Sequence, residues 1–128
     1  MAMATVRYIA HDVGTAARFY ADHLGFQVEL QPAPGFAMLS RGDLRLLLNA
    51  PGGGGAGQAA ADGRTPEPGG WSRFQLEVTD LDSTVAGLEA AGCTFRTPIV
   101  DGAGGRQALV EDPSGNVVEL FQPMRAAG

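Results

Sequence analysis

The chain has 128 residues, 45% of them hydrophobic and 18% charged, values of a globular protein and not of a disordered one. A length like this fits one compact domain that buries about two-thirds of its unfolded surface. The formal net charge of −5 argues against nucleic acid and anionic membrane as partners, and one cysteine, Cys93, leaves no disulfide framework and suits a reducing cytoplasm.

In chain order, Thr5 to Ala10 alternates as a strand, with Val6, Tyr8 and Ala10 on one face and Thr5, Arg7 and Ile9 on the other. Asp12 is placed to cap a helix whose apolar positions Val13, Ala16, Ala17, Tyr20 and Leu24 recur at three- and four-residue steps, and Gly25 ends it as a left-handed cap. Strands are expected at Phe26 to Leu30, Phe36 to Ser40 and Leu44 to Leu48, with turns at Pro32 to Gly35 and Arg41-Gly42-Asp43. The composition then changes: Asn49 to Gly70 is 22 residues long with eight Gly and three Pro, which reads as a connector or mobile flap.

After Trp71 the first pattern returns. Phe74 to Thr79 alternates as a strand, Asp80 repeats Asp12 at an offset of 68, and Leu81, Val85 and Leu88 form a helical stripe closed by Gly92. Phe95 to Val100, broken by Pro98, and Gln107 to Glu111 read as strands. Asp112-Pro113 starts a turn, Gly115-Asn116 supplies positive-φ positions, and Val117 to Phe121 is the last strand. It matches Leu44 to Leu48 at an offset of 73. The chain therefore reads as a tandem βαβββ duplication of the α+β class: a first module over 1–48, a Gly/Ala/Pro linker over 49–70, a second module over 71–123 and a tail over 124–128. Each module alone exposes an apolar sheet face, so the modules must pair within one chain or between two.

Glu119 is an acid in an apolar strand and must be solvated, paired or used. It is expected to point into a cavity. The candidate ligand contacts are Arg7, Arg73, Gln75 and Glu119, with Glu77 nearby as a further polar group. Leu46 and Leu48 belong to the apolar wall, taken to share the ligand-facing side of their strand, and Phe36, Met38, Leu109 and Phe121 line the neighbouring wall. Trp71, where the linker re-enters the fold, is placed to stack on a flat ring. His11 and His23 read as solvated surface groups and Cys93 as a small packed side chain without a base partner. Gly52 to Gly55 lacks the Lys-Ser/Thr of a phosphate loop.

The segments Asp12-Val13 through Phe19-Tyr20 to Leu24-Gly25-Phe26, then Phe74 to Asp82, then Asp112-Pro113-Ser114-Gly115-Asn116 through Glu119-Leu120-Phe121, resemble the vicinal oxygen chelate superfamily. That group includes glyoxalases, extradiol dioxygenases and bleomycin-resistance proteins. The resemblance implies paired modules curling an eight-stranded mixed sheet around a cavity, helices on the convex face, often in a homodimer that exchanges modules. It also implies metal ligands at positions occupied here by Thr5, Leu46, Arg73 and Glu119. Only Glu119 could bind a metal strongly, whereas a catalytic site needs three protein ligands and an open position. No metal or other cofactor is expected. The expectation is a cytoplasmic, non-catalytic protein that sequesters a hydrophobic or aromatic compound, an antibiotic in a self-resistance role. The alternative is a metal-dependent or metal-free enzyme of the same superfamily, a glyoxalase-like lyase or isomerase or a dioxygenase, with Glu119 as general base in the metal-free case.

Overall fold

Two aspartates start the two helices. In the computed structural model, which describes residues 3–124, Asp12 accepts a hydrogen bond from the Thr15 N–H (3.0 Å) at the head of α1 (Val13–His23), and Asp80 accepts from the Ser83 N–H (3.1 Å) at the head of α2 (Leu81–Ala90). Just past the two helices Gly25 and Gly92 take the left-handed conformation, with φ of 73° and 85°. Each helix lies in a βαβββ module, giving β1 (Ala4–Ile9), β2 (Gln27–Ala33), β3 (Phe36–Arg41) and β4 (Leu44–Asn49), then β5 (Arg73–Glu77), β6 (Thr94–Asp101), β7 (Gly105–Glu111) and β8 (Val117–Pro123).

The α+β architecture has eight strands divided between two four-stranded mixed sheets, ordered β1-β4-β3-β2 and β5-β8-β7-β6. In each, the first strand pairs parallel with the last and the other pairings are antiparallel. The chain forms two compact units, one running to Gly70 and including Pro113–Asn116, the other comprising Trp71–Asp112 and the chain from Val117.

Strand alternation decides which residues form each core. In the first unit Tyr8, Ala37, Leu39, Leu46 and Leu48 are buried and share one sheet face by register. α1 packs on this sheet with Val13, Ala16, Ala17 and Tyr20 buried. In the second unit the corresponding buried set is Phe74, Leu76, Ala108, Val110, Val118 and Leu120, with Leu81, Val85 and Leu88 from α2.

The sequence expects a turn at Pro32–Gly35, but β2 continues through Pro32 to Ala33. Both β2 and β6 are outermost strands with register shifts, so Pro32 and Pro98 cost little although neither can donate to a ladder. At the β7–β8 connection only Gly115 has positive φ (87°); Asn116 does not, contrary to the expectation for it. Asn116 instead uses its side chain. Its Oδ1 accepts from the Gly69 N–H (2.8 Å) and its Nδ2 donates to the Ile9 carbonyl (2.7 Å), while Ser114 Oγ accepts from the His11 N–H (2.9 Å).

The glycine-rich stretch after β4 folds on itself. Gly53 and Gly57 N–H groups donate to Ala50 and Gly53 carbonyls (2.8 and 3.1 Å), and the Gln58 side chain donates to Gly52 and Gly54 carbonyls (3.1 and 2.9 Å). At Gly57 a Cβ would stand 2.3 Å from the Ala50 oxygen, so close backbone approach is what the glycine there permits. Of the expected tail, 125–128 lies outside the described residues.

Candidate functional site

Register assigns each candidate residue to a sheet face. Directly paired residues project to the same side, so Gln75, Glu119 and Leu109 form one row across β5, β8 and β7, with Arg73, Glu77 and Phe121 on the same face as neighbours. This is the face turned away from the buried set of the second unit. Glu119 is only 9% exposed there. Its Oε1 accepts from Arg73 Nε at 3.0 Å and its Oε2 from Gln75 Nε2 at 2.6 Å, so both carboxylate oxygens are bonded by side chains of the neighbouring strand.

Arg73 also reaches outward, Nη1 donating to the Trp71 carbonyl at 3.2 Å. Trp71 is 64% exposed, and the Arg96 guanidinium lies 4.6 Å from the centre of its indole. Arg96 in turn pairs with Glu111 (2.7 Å), a residue on the same face as Glu119. These candidate residues thus form a polar row with Leu109 and Phe121 on the same face, and a guanidinium-backed indole is tied to it through Arg73. Arg96 and Glu111 escaped the sequence reading. A cation opposite an acid across a predicted hairpin was their only signal, and the irregular β6 pairing obscured it.

The other candidates belong to the first unit. Arg7, Leu47 and Met38 form a row across β1, β4 and β3, and Phe36 shares their face beside Asn49. Arg7 donates through Nη1 to Asn49 Oδ1, and Asn49 Nδ2 donates to the Gly53 carbonyl at 3.1 Å. Leu46 and Leu48 do not join this set. Both are fully buried with Leu39 and Ala37 on the face that α1 covers. The cause lies in the connections: an offset of 73 equates Gly42 with Gly115, but the turn between β3 and β4 is two residues and that between β7 and β8 is five. The residue matching Glu119 in the sheet is Leu47, and a slip of one place reverses the face of every side chain.

A divalent cation does not fit these residues. Glu119 has a guanidinium beside it and donors on both oxygens, while Leu47 offers no ligand atom at the matching place and Thr5 only a neutral hydroxyl. Among the described residues no group of three or more His, Cys, Asp or Glu side chains could hold a metal ion. His11 and His23 are exposed, and burial pushes the Cys93 thiol up from its ordinary pKa. A hollow of about 300 Å³ elsewhere in the second unit borders Asp101, Arg106, Gln122 and Met124; there Arg106 is already bonded to Asp82 (2.8 Å) and Asp101 (3.0 Å). No helix among the described residues is long and apolar enough to cross a membrane.

Among curated proteins none matches. Solved structures with this fold include a lactoylglutathione lyase from Agrobacterium tumefaciens (23% identity, TM-score 0.75, covering 94% of this chain and 92% of that one). They also include an antibiotic binding protein from Streptomyces sp. CB03234 (24%, 0.72, covering 95% of each). A third is the bleomycin-binding protein from bleomycin-producing Streptomyces verticillus, complexed with copper(II)-bleomycin (24%, 0.65, covering 97% and 98%). The family match extends over residues 2–120, nearly the whole sequence, and the chain belongs to the Glyoxalase/Bleomycin resistance protein/Dioxygenase superfamily.

Proposed function

We propose that this chain is a non-catalytic binding protein that sequesters a hydrophobic, aromatic small molecule, an antibiotic in a self-resistance role, acting as a cytoplasmic homodimer. The observation that carries the reading is the state of Glu119, whose two oxygens are both bonded to Arg73 and Gln75. A general base needs a lone pair aimed at a substrate proton, and a metal ligand needs one aimed at the ion. A carboxylate has about four lone-pair sites, and this one already gives one on each oxygen to its own neighbours, which supports reading it as a fixed polar floor. Phe121, half-buried, adds apolar surface on the same face, where Leu109 is only 3% exposed, and Trp71 adds an exposed ring. Spare N–H groups of Arg73 and Gln75 would receive carbonyl or phenol oxygens of a ligand. The fold shared with antibiotic-binding proteins agrees with this reading.

The test is titration with polycyclic aromatic antibiotics, followed by the fluorescence of the single tryptophan. Quenching is expected, with the compound recovered chemically unchanged. Trp71→Ala, which has no tryptophan to report, is titrated by calorimetry beside the wild type and should bind about tenfold more weakly, equivalent to roughly 1.4 kcal/mol. Recovery of a converted product would refute sequestration, and unaltered affinity in Trp71→Ala would remove the indole from the site.

A further inference from the structure

Trp71 is unusual in being exposed and yet held in place. Its carbonyl is bonded by Arg73, and its ring carries the Arg96 guanidinium at 4.6 Å. Arg96 is itself anchored by Glu111 at 2.7 Å and its side chain is only 19% exposed. An indole on a free loop would lose rotamer freedom on stacking; one clamped beforehand loses less.

The clamp also fixes the chemistry of the platform. A cation against one face of an indole draws π density toward itself, leaving the opposite face less negative. That opposite face then welcomes an electron-rich or anionic ring. A second cation there meets both a weakened quadrupole and like charge across the ring. Arg73 and Gln75 extend the same bias with further N–H donors. Two acids of that face, Glu119 and Glu111, are each bonded to an arginine, and the third, Glu77, lies at the end of β5 farther in sequence from Trp71. The acidic balance of the whole chain, with a net charge of −5, would suggest a cationic ligand. Close charges outweigh distant, solvent-screened ones, so the local arrangement decides.

We infer that the Arg96-backed face of Trp71 is a one-sided stacking platform that selects neutral or anionic flat aromatic ligands and rejects cationic ones. This rests on the proposal that the chain binds an aromatic molecule, and makes Arg96 a specificity-determining residue.

Three probes with one ring system separate the possibilities: 2-naphthoate, 2-naphthamide and 2-naphthylmethylammonium. Binding is read from the indole N–H resonance of the sole tryptophan in a nitrogen-15-labelled protein. The anion and the amide should bind about tenfold more tightly than the ammonium, the scale of one cation–π contact. In Arg96→Met that gap should shrink to about twofold or less. Because Arg96→Met leaves Glu111 without its cation, the paired variant Arg96→Met/Glu111→Gln is measured alongside and should show the same compression. Equal binding of all three probes by the wild type, or a gap that survives both variants, overturns the selectivity while leaving aromatic binding intact. If no probe moves the indole resonance, aromatic capture at Trp71 fails and the selectivity fails with it.

Discussion

Across β1, β4 and β3 the row at the centre of the first sheet reads Arg7, Leu47, Met38; across β5, β8 and β7 the row in the same register reads Gln75, Glu119, Leu109. The backbones repeat but the chemistry does not. In the first row the lone cation turns to a neutral amide, Asn49; in the second the acid is closed by a guanidinium and an amide. Ion pairing follows the same division, since four of the five salt bridges among the described residues lie in the second unit. A duplicated module can thus keep its packing code on the helix side of the sheet while the far side of one copy takes up the polar work.

The comparison stands or falls first on register. Leu46→Ala should cost about 3 kcal/mol of unfolding free energy as a cavity-forming change, and Leu47→Ala below about 1 kcal/mol. Urea denaturation measures both, and a reversed order would return Leu46 to the open face. Next comes the closed acid. Glu119→Ala opens a gap at a place only 9% exposed and takes the shared partner from Arg73 and Gln75, and should cost about 2 kcal/mol. The triple variant Arg73→Met/Gln75→Leu/Glu119→Leu, which replaces the hydrogen-bonded trio by apolar side chains, should recover to within about 1 kcal/mol of wild type. A triple variant as unstable as Glu119→Ala would mean that the trio stabilises the sheet in its own right.

The smallest effect concerns Asp82. Hydrogen bonds from Arg106 hold its carboxyl below the usual carboxylate range. A depressed folded value contributes stability above the unfolded value, which is lost as pH falls through the folded one. Thermal melts of wild type and Asp82→Asn should therefore differ slightly at neutral pH and converge on acidification. A gap that widens in acid would contradict the assignment.

Much of this arrangement was readable from residue order. Asp12 and Asp80 announce helix starts because their side chains satisfy the first-turn N–H groups, and that chemistry is local. The polar face of β5 followed from alternation, which brought Arg73 and Gln75 to the side of Glu119. What failed depended on quantities absent from any short window. The face of Leu46 and Leu48 required the length of each connecting turn, and two glycines of similar context concealed a difference of three residues. The Trp71–Arg96–Glu111 cluster draws on three separate segments, and a bulged strand removes the regular spacing that would have predicted it. The ordered loop after β4 was hidden by composition, because glycine richness describes an unfolded tendency and also what a tight, carbonyl-crowded turn requires.

The bonds of Asn116 to Ile9 and Gly69 reach across 107 and 47 positions of the chain. During synthesis the early half therefore leaves the ribosome with a strand-end carbonyl and a loop amide still hydrated, and it is sealed only when the last hairpin emerges. Such long-range closure is paid for in loop entropy before it is rewarded, which slows folding. A fragment ending at Gly70 would lack its own latch.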